Sequence, residues 1–91
     1  MTPKEKQQKR MEIFRKFKEK HPDALIMLRC GGFYELMEQD AEGGAKVLGI
    51  TLTKHNDTGD KLAAFPYHAL EMYLPRLIRA GYRVAICDGF K

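Results

Sequence analysis

Two consecutive glycines, Gly31 and Gly32, constrain this chain more than any other feature. An apolar run from Ala24 to Leu28 leads up to them, and the alternating segment Phe33-Tyr34-Glu35-Leu36-Met37 follows at once. Paired glycines accept the positive φ angles of tight turns, so the stretch predicts a β-hairpin with Gly31-Gly32 as its turn. In the returning strand side chains alternate between faces, so Tyr34 and Leu36 share one side while Phe33 and Glu35 share the other. With the Tyr34 side as the core side, a bulky aromatic and a carboxylate stand together near the hairpin tip, facing outward. The competing account packs Phe33 under the opening helix and leaves Glu35 as a solvated strand residue, since most aromatics in small domains belong to the core.

The flanking segments supply what such a hairpin needs for company. Thr2 followed by Glu5 is a capping-box pattern, and Pro3 fits the first helical position, where its missing amide costs nothing. Met11, Phe14 and Phe17, with Ile13, mark one narrow apolar stripe that ends before His21-Pro22, because proline disfavours helix in the residue before it. Asp40 to Leu48 reads as a short helix with Ala41, Ala45 and Leu48 on one side and Gly49 as its stop. Gly43-Gly44 weakens it by about 1 kcal/mol per glycine, which predicts a poor or broken helix. Gly49 to Lys54 is expected as a strand, with Ile50 and Leu52 on one face and Thr51 and Thr53 on the other. His55 to Asp60 is a polar turn before the extended run Lys61 to Phe65. Pro66-Tyr67-His68 opens a last helix that runs to about Ala80, with Ala69, Met72, Tyr73, Leu77 and Ile78 as its apolar face and Gly81 as its stop. Pro75 inside it predicts a kink or a restart. Val84 and Ile86 belong to a final strand, expected to be central because both of its faces are apolar. This order predicts an α/β (α+β) fold: a small mixed sheet of about five strands covered by about three helices.

Ninety-one residues with 44% hydrophobic content allow one domain, residues 1–91, with one modest core. The net charge of +4 is uneven: the first twenty residues carry eight basic side chains against three glutamates, a net of +5. A basic segment follows phosphates by releasing counterions, but a solvated helix face accounts for the same charges, and the helix is not placed in the site. No run approaches the roughly 18–20 apolar residues of a membrane span and no signal peptide is visible, so a cytoplasmic chain is expected. Cys30 and Cys87 read as reduced thiols in strands. His21, His55 and His68 are scattered and no zinc-type spacing occurs, so no metal is expected; Glu35, Glu38, Asp40 and Glu42 crowd one region without a coordination loop. His68 has no nucleophile and orienting acid beside it, and no catalytic set can be assembled, so the chain is not expected to be an enzyme or to need a cofactor.

Arg-Cys-Gly-Gly-Phe-Tyr-Glu-Leu, from Arg29 to Leu36, resembles the Arg-Met-Gly-Asp-Phe-Tyr-Glu-Leu signature of the amino-terminal mismatch-recognition domain, domain I, of the MutS family of DNA mismatch repair proteins. Three further stretches fit in order: Ile50-Thr51-Leu52-Thr53-Lys54, Ala64-Phe65-Pro66-Tyr67-His68-Ala69, and Val84-Ala85-Ile86-Cys87. The resemblance runs from about His21 to Cys87. It implies that Phe33 stacks on a mispaired base while Glu35 hydrogen-bonds to it, in double-stranded DNA kinked at that step, and that Lys54 contacts a phosphate; a solvated loop lysine is the other reading of Lys54. An apolar wedge must offset a few kcal/mol of unstacking, least where pairing is already poor. A carboxylate near phosphates is repelled, so Glu35 fits only where a base offers a donor or where it binds protonated.

Three departures qualify the resemblance. Gly32 stands where the family has aspartate, which predicts a looser turn; the loop from His55 to Asp60 is a couple of residues short; and Asp88-Gly89 replaces the Glu-Gln that follows the family's cysteine, so a different exit is expected. The chain lacks a Gly-Lys-Ser/Thr phosphate loop, so the family's ATP-driven part is absent from it, and DNA binding is expected to be weak and to fall steeply with salt. It stops at Phe90-Lys91 just past the last strand, and reads equally as a fragment of a longer protein whose other domains would be its partners. The runner-up function is a protein-interaction module that uses the same exposed hairpin and basic helix.

Overall fold

The computed structural model describes residues 1–88. Helix α1 spans Pro3–Lys20 and opens with the full capping box: Thr2 accepts from the Glu5 amide, and the Glu5 carboxylate accepts from the Thr2 amide at 3.2 Å. It leads to the hairpin of β1 (Ala24–Cys30) and β2 (Phe33–Met37), and β2 passes into helix α2 (Glu38–Leu48) with no loop between them. Glu38 makes that bend with a φ of 53°, in the left-handed region. Strands β3 (Thr53–Lys54) and β4 (Lys61–Pro66), a 3₁₀ turn (Tyr67–Ala69), helix α3 (Leu70–Arg79) and strand β5 (Arg83–Cys87) complete the domain.

The five strands form one mixed sheet in the order β3-β4-β2-β1-β5, with β1 and β5 parallel and the other neighbours antiparallel. Alternation along β1 distributes its apolar run to two layers. Leu25 and Met27 join Tyr34, Leu36 and Phe65 under α2 and α3, while Ile26 and Leu28 join Met37 and Cys87 under Met11 and Phe14 of α1. Each layer excludes water from one sheet face, so β1 needs hydrophobic side chains at every position from Leu25 to Leu28. The observed layers agree with the α+β architecture expected from the order of elements.

The structure corrects four expectations. Helix α2 is continuous through Gly43-Gly44. A Cβ on Gly44 would lie 2.5 Å from the buried Leu36 Cδ1, so the glycine is there to let the helix lie close on the sheet. The strand expected from Gly49 begins only at Thr53: Gly49 is a left-handed helix cap, with its amide and that of Ile50 both donating to the Ala45 carbonyl. Strand β5 is an edge rather than central. Its two apolar faces reflect helices above and below, with Val84 and Ile86 on one layer and Ala85 on the other. In α3 the inward stripe is Leu70, Tyr73 and Leu77, and Met72 and Ile78 are each 57% exposed. The helix starts its α-turns at Leu70, which sets the phase of the stripe, and it continues through Pro75 with the loss of one backbone bond. Gly89, part of the departure at the exit, and the chain end at Phe90-Lys91 lie outside the described residues.

Candidate nucleic-acid interface

The hairpin tip is a two-residue turn. Cys30 pairs with Phe33 across it, Gly31 has a φ of +60°, and Gly32 stays out of the left-handed region, the II′ pattern of one positive φ at the first central residue. Both carbonyls of the tip are engaged. Arg29 Nε donates to the Gly31 carbonyl at 2.8 Å, and the Tyr67 amide donates to that of Gly32 at 2.9 Å. The Arg29 guanidinium also lies 4.2 Å from the centre of the Tyr67 ring, so side chain and turn brace each other.

Phe33 leaves this tip half exposed, at 50%, on the face of the sheet that α1 covers further along. Glu35, two residues on and on the same face, is not in open water as expected. It lies beside α1, its Oε1 3.3 Å from Arg10 Nε, with both side chains about one-fifth exposed, 19% and 20%. The hydrogen bonds of Arg10 go elsewhere, to Gln7 Oε1 at 3.0 and 3.3 Å, so Glu35 Oε1 is buried next to a positive charge yet accepts no hydrogen bond. Gln7 is fully buried and donates on to Asp60 Oδ2 at 3.3 Å, which ties the first turns of α1 to the β3–β4 loop. Burial, with the charge of Glu35 next in weight, pushes the neighbouring Cys30 thiol up to about 12.

Lys54 is exposed on edge strand β3 and is not brought to this pair. It pairs with Lys61 at one end of β4, whereas Phe33 pairs with Pro66 at the other. At about 3.3 Å per residue that is roughly 17 Å along the strand. The carboxylates that cluster in the sequence are dispersed. Asp40 is buried between Lys18 and the Ile26 amide, at 2.9 and 3.0 Å, and Glu42 meets Lys61 at the surface. Among the described residues no three metal-capable side chains converge, and no helix is long and apolar enough to cross a membrane.

Sequence reading missed Arg10, Gln7, Arg29 and Tyr67. Lys6, Lys9 and Arg10 of α1 face Cys30, Gly31 and Glu35 across a cleft of about 510 Å³, so part of the helix set aside as a solvated face borders the hairpin tip. The charge of the first twenty residues was the available signal; helix docking, which chooses the side that faces the tip, has no local signature.

Comparison with known proteins places the chain in a family. Residues 8–91 match the family model described as MutS domain I. The chain is 53% identical over 81 residues to the DNA mismatch repair protein MutS of Phocaeicola vulgatus, and 56% and 54% identical over the same length to those of Bacteroides fragilis and Bacteroides thetaiotaomicron. In each case 86% of this chain is covered, and the chain spans only 9% of the length of the relative. The match takes in the hairpin, the sheet and all but the first turns of α1, and on that extent the chain belongs to the MutS domain I family.

Proposed function

We propose that this domain recognises mismatched or otherwise distorted double-stranded DNA, with Phe33 as a wedge that stacks on the displaced base and Glu35 as the acceptor for a donor on that base. The observation that carries this reading is a phenylalanine left half exposed on a turn whose two carbonyls are both tied down. Full burial of that ring would stabilise the fold by on the order of 1 kcal/mol more, so its position is better explained by a ligand than by packing. Entry into a base step costs a few kcal/mol of unstacking, and a mispair lowers that cost, so selectivity follows from deformability.

Arg10 gives Glu35 a second function in this reading. Its guanidinium offsets the carboxylate's repulsion by the phosphates; with Oε1 buried against Arg10, the other carboxylate oxygen of this one-fifth-exposed side chain is the one that accepts from a base. Lys54, roughly 17 Å away along β4, serves a phosphate at a distance from the wedge. The relatives are named DNA mismatch repair proteins, and this chain corresponds to 9% of their length. In our reading their ATP-driven steps lie outside it, it performs no catalysis itself, and binding by this domain alone is weak and strongly salt-dependent.

Titration of the chain with a mismatched duplex, the matched duplex and single-stranded DNA, followed at the Phe33 and Glu35 amides by NMR, tests the proposal. The largest shifts are expected with the mismatch, and Phe33→Ala should abolish the difference. Equal shifts for matched and mismatched DNA, or none at low salt, would overturn it. A second reading, an interaction module, is favoured by Met72 and Ile78 exposed on α3, and would leave the hairpin amides unmoved by any DNA.

A further inference from the structure

We infer that the cleft between the first turns of α1 and the hairpin is a phosphodiester-binding site, in which Lys6 and Lys9 hold the backbone of the strand that Phe33 enters. This rests on the reading that the tip meets DNA. Lys6, Lys9 and Arg10 line one wall of the cleft, and Cys30, Gly31 and Glu35 line the other. Cys30 is the cross-strand partner of Phe33, so the cleft reaches the wedge's own residue pair.

Three features make this more than a charged helix face. The position of the lysines is fixed: Thr2 and Glu5 cap the helix reciprocally, and Gln7, fully buried, anchors the turn between them to Asp60. The charge is available, since Arg10 faces Glu35 whereas neither Lys6 nor Lys9 makes an ion pair among the described residues. Residues three and four apart on a helix project to one side, so Lys6, Lys9 and Arg10 present adjacent donors to the same space. Helix α1 begins at Pro3 while the family match begins at residue 8, so the turn that carries Lys6 and Gln7 lies before the shared span.

Each phosphate contact releases counterions and adds about 0.9 to the slope of log affinity against log salt. Fluorescence anisotropy of matched and mismatched duplexes between 50 and 200 mM salt, with the full chain, reads that slope. Lys6→Gln/Lys9→Gln is expected to flatten it by about 2 for both duplexes and to leave the ratio between them unchanged. Lys20→Gln/Lys46→Gln, the same charge change at exposed positions away from the cleft, is expected to flatten it by less than half as much. An unchanged slope in the first variant, an equal loss in the control, or no binding of either duplex by the parent chain would overturn the site. Binding with no mismatch preference but a flattened slope would sink the wedge and keep the cleft. A preference abolished by Phe33→Ala with the slope intact in Lys6→Gln/Lys9→Gln would do the reverse.

Discussion

Phe33 and Glu35 leave β2 on the same side and meet different surroundings, because one stands at the tip beyond α1 and the other lies beside it. Cys30 shares the environment of Glu35, and its thiol, pushed up to about 12 chiefly by burial, stays protonated at pH 8. Alkylation by iodoacetamide should therefore be far slower than for an exposed thiol. The same shift has a consequence for stability. A thiol whose folded value lies above the ordinary 9.0 contributes stability that is intact below pH 9 and is lost as pH rises towards 12, since the unfolded chain gives up its proton first. Urea denaturation should show a fall in this window that is shallower in Cys30→Ala; an identical fall would mean that burial of the thiol is not its cause.

At the scale of elements, α2 shows two adjacent glycines with different reasons for being there. A Cβ on Gly44 meets Leu36, which is fully buried and cannot move aside, whereas one on Gly43 meets the hydroxyl end of the half-buried Tyr82, which can swing out. Alanine gains about 1 kcal/mol of helix propensity at either site, but overpacking a filled core costs about 1–3 kcal/mol. Gly44→Ala should thus lower stability by about 1 kcal/mol, and Gly43→Ala should leave it within about 0.5 kcal/mol or raise it, as measured by chemical denaturation. Helix caps and the hairpin were legible in the sequence because their causes lie within a few residues: Thr2 with Glu5, Gly49, Gly81, and Gly31 between two apolar runs. What was not legible depends on partners distant in the chain. The continuity of α2 depends on Leu36, the edge position of β5 depends on which strand β1 accepts, and the neighbour of Glu35 is Arg10, set by how α1 docks.

Across the whole molecule, Asp40 joins three elements. From α2 it accepts from Lys18 of α1 at 2.9 Å and from the Ile26 amide of β1 at 3.0 Å, and Lys18 also donates to the Ala24 carbonyl at 2.7 Å. Removal of the carboxylate strands a buried amide and half of an ion pair, so Asp40→Ala should cost about 3 kcal/mol. For a domain of this size that is a fall of more than about 10 °C in Tm. A loss under 1 kcal/mol would show that the three elements are held by packing alone. Helix α1 is the cover over Ile26, Leu28 and Met37, and it is also the element that carries Lys6, Lys9 and Arg10. Whatever ligand pulls on those cations pulls on the lid of half the interior, so grip and durability draw on a common reserve: a tighter hold on the helix in the bound complex is felt as resistance to melting, and a strained one as its loss.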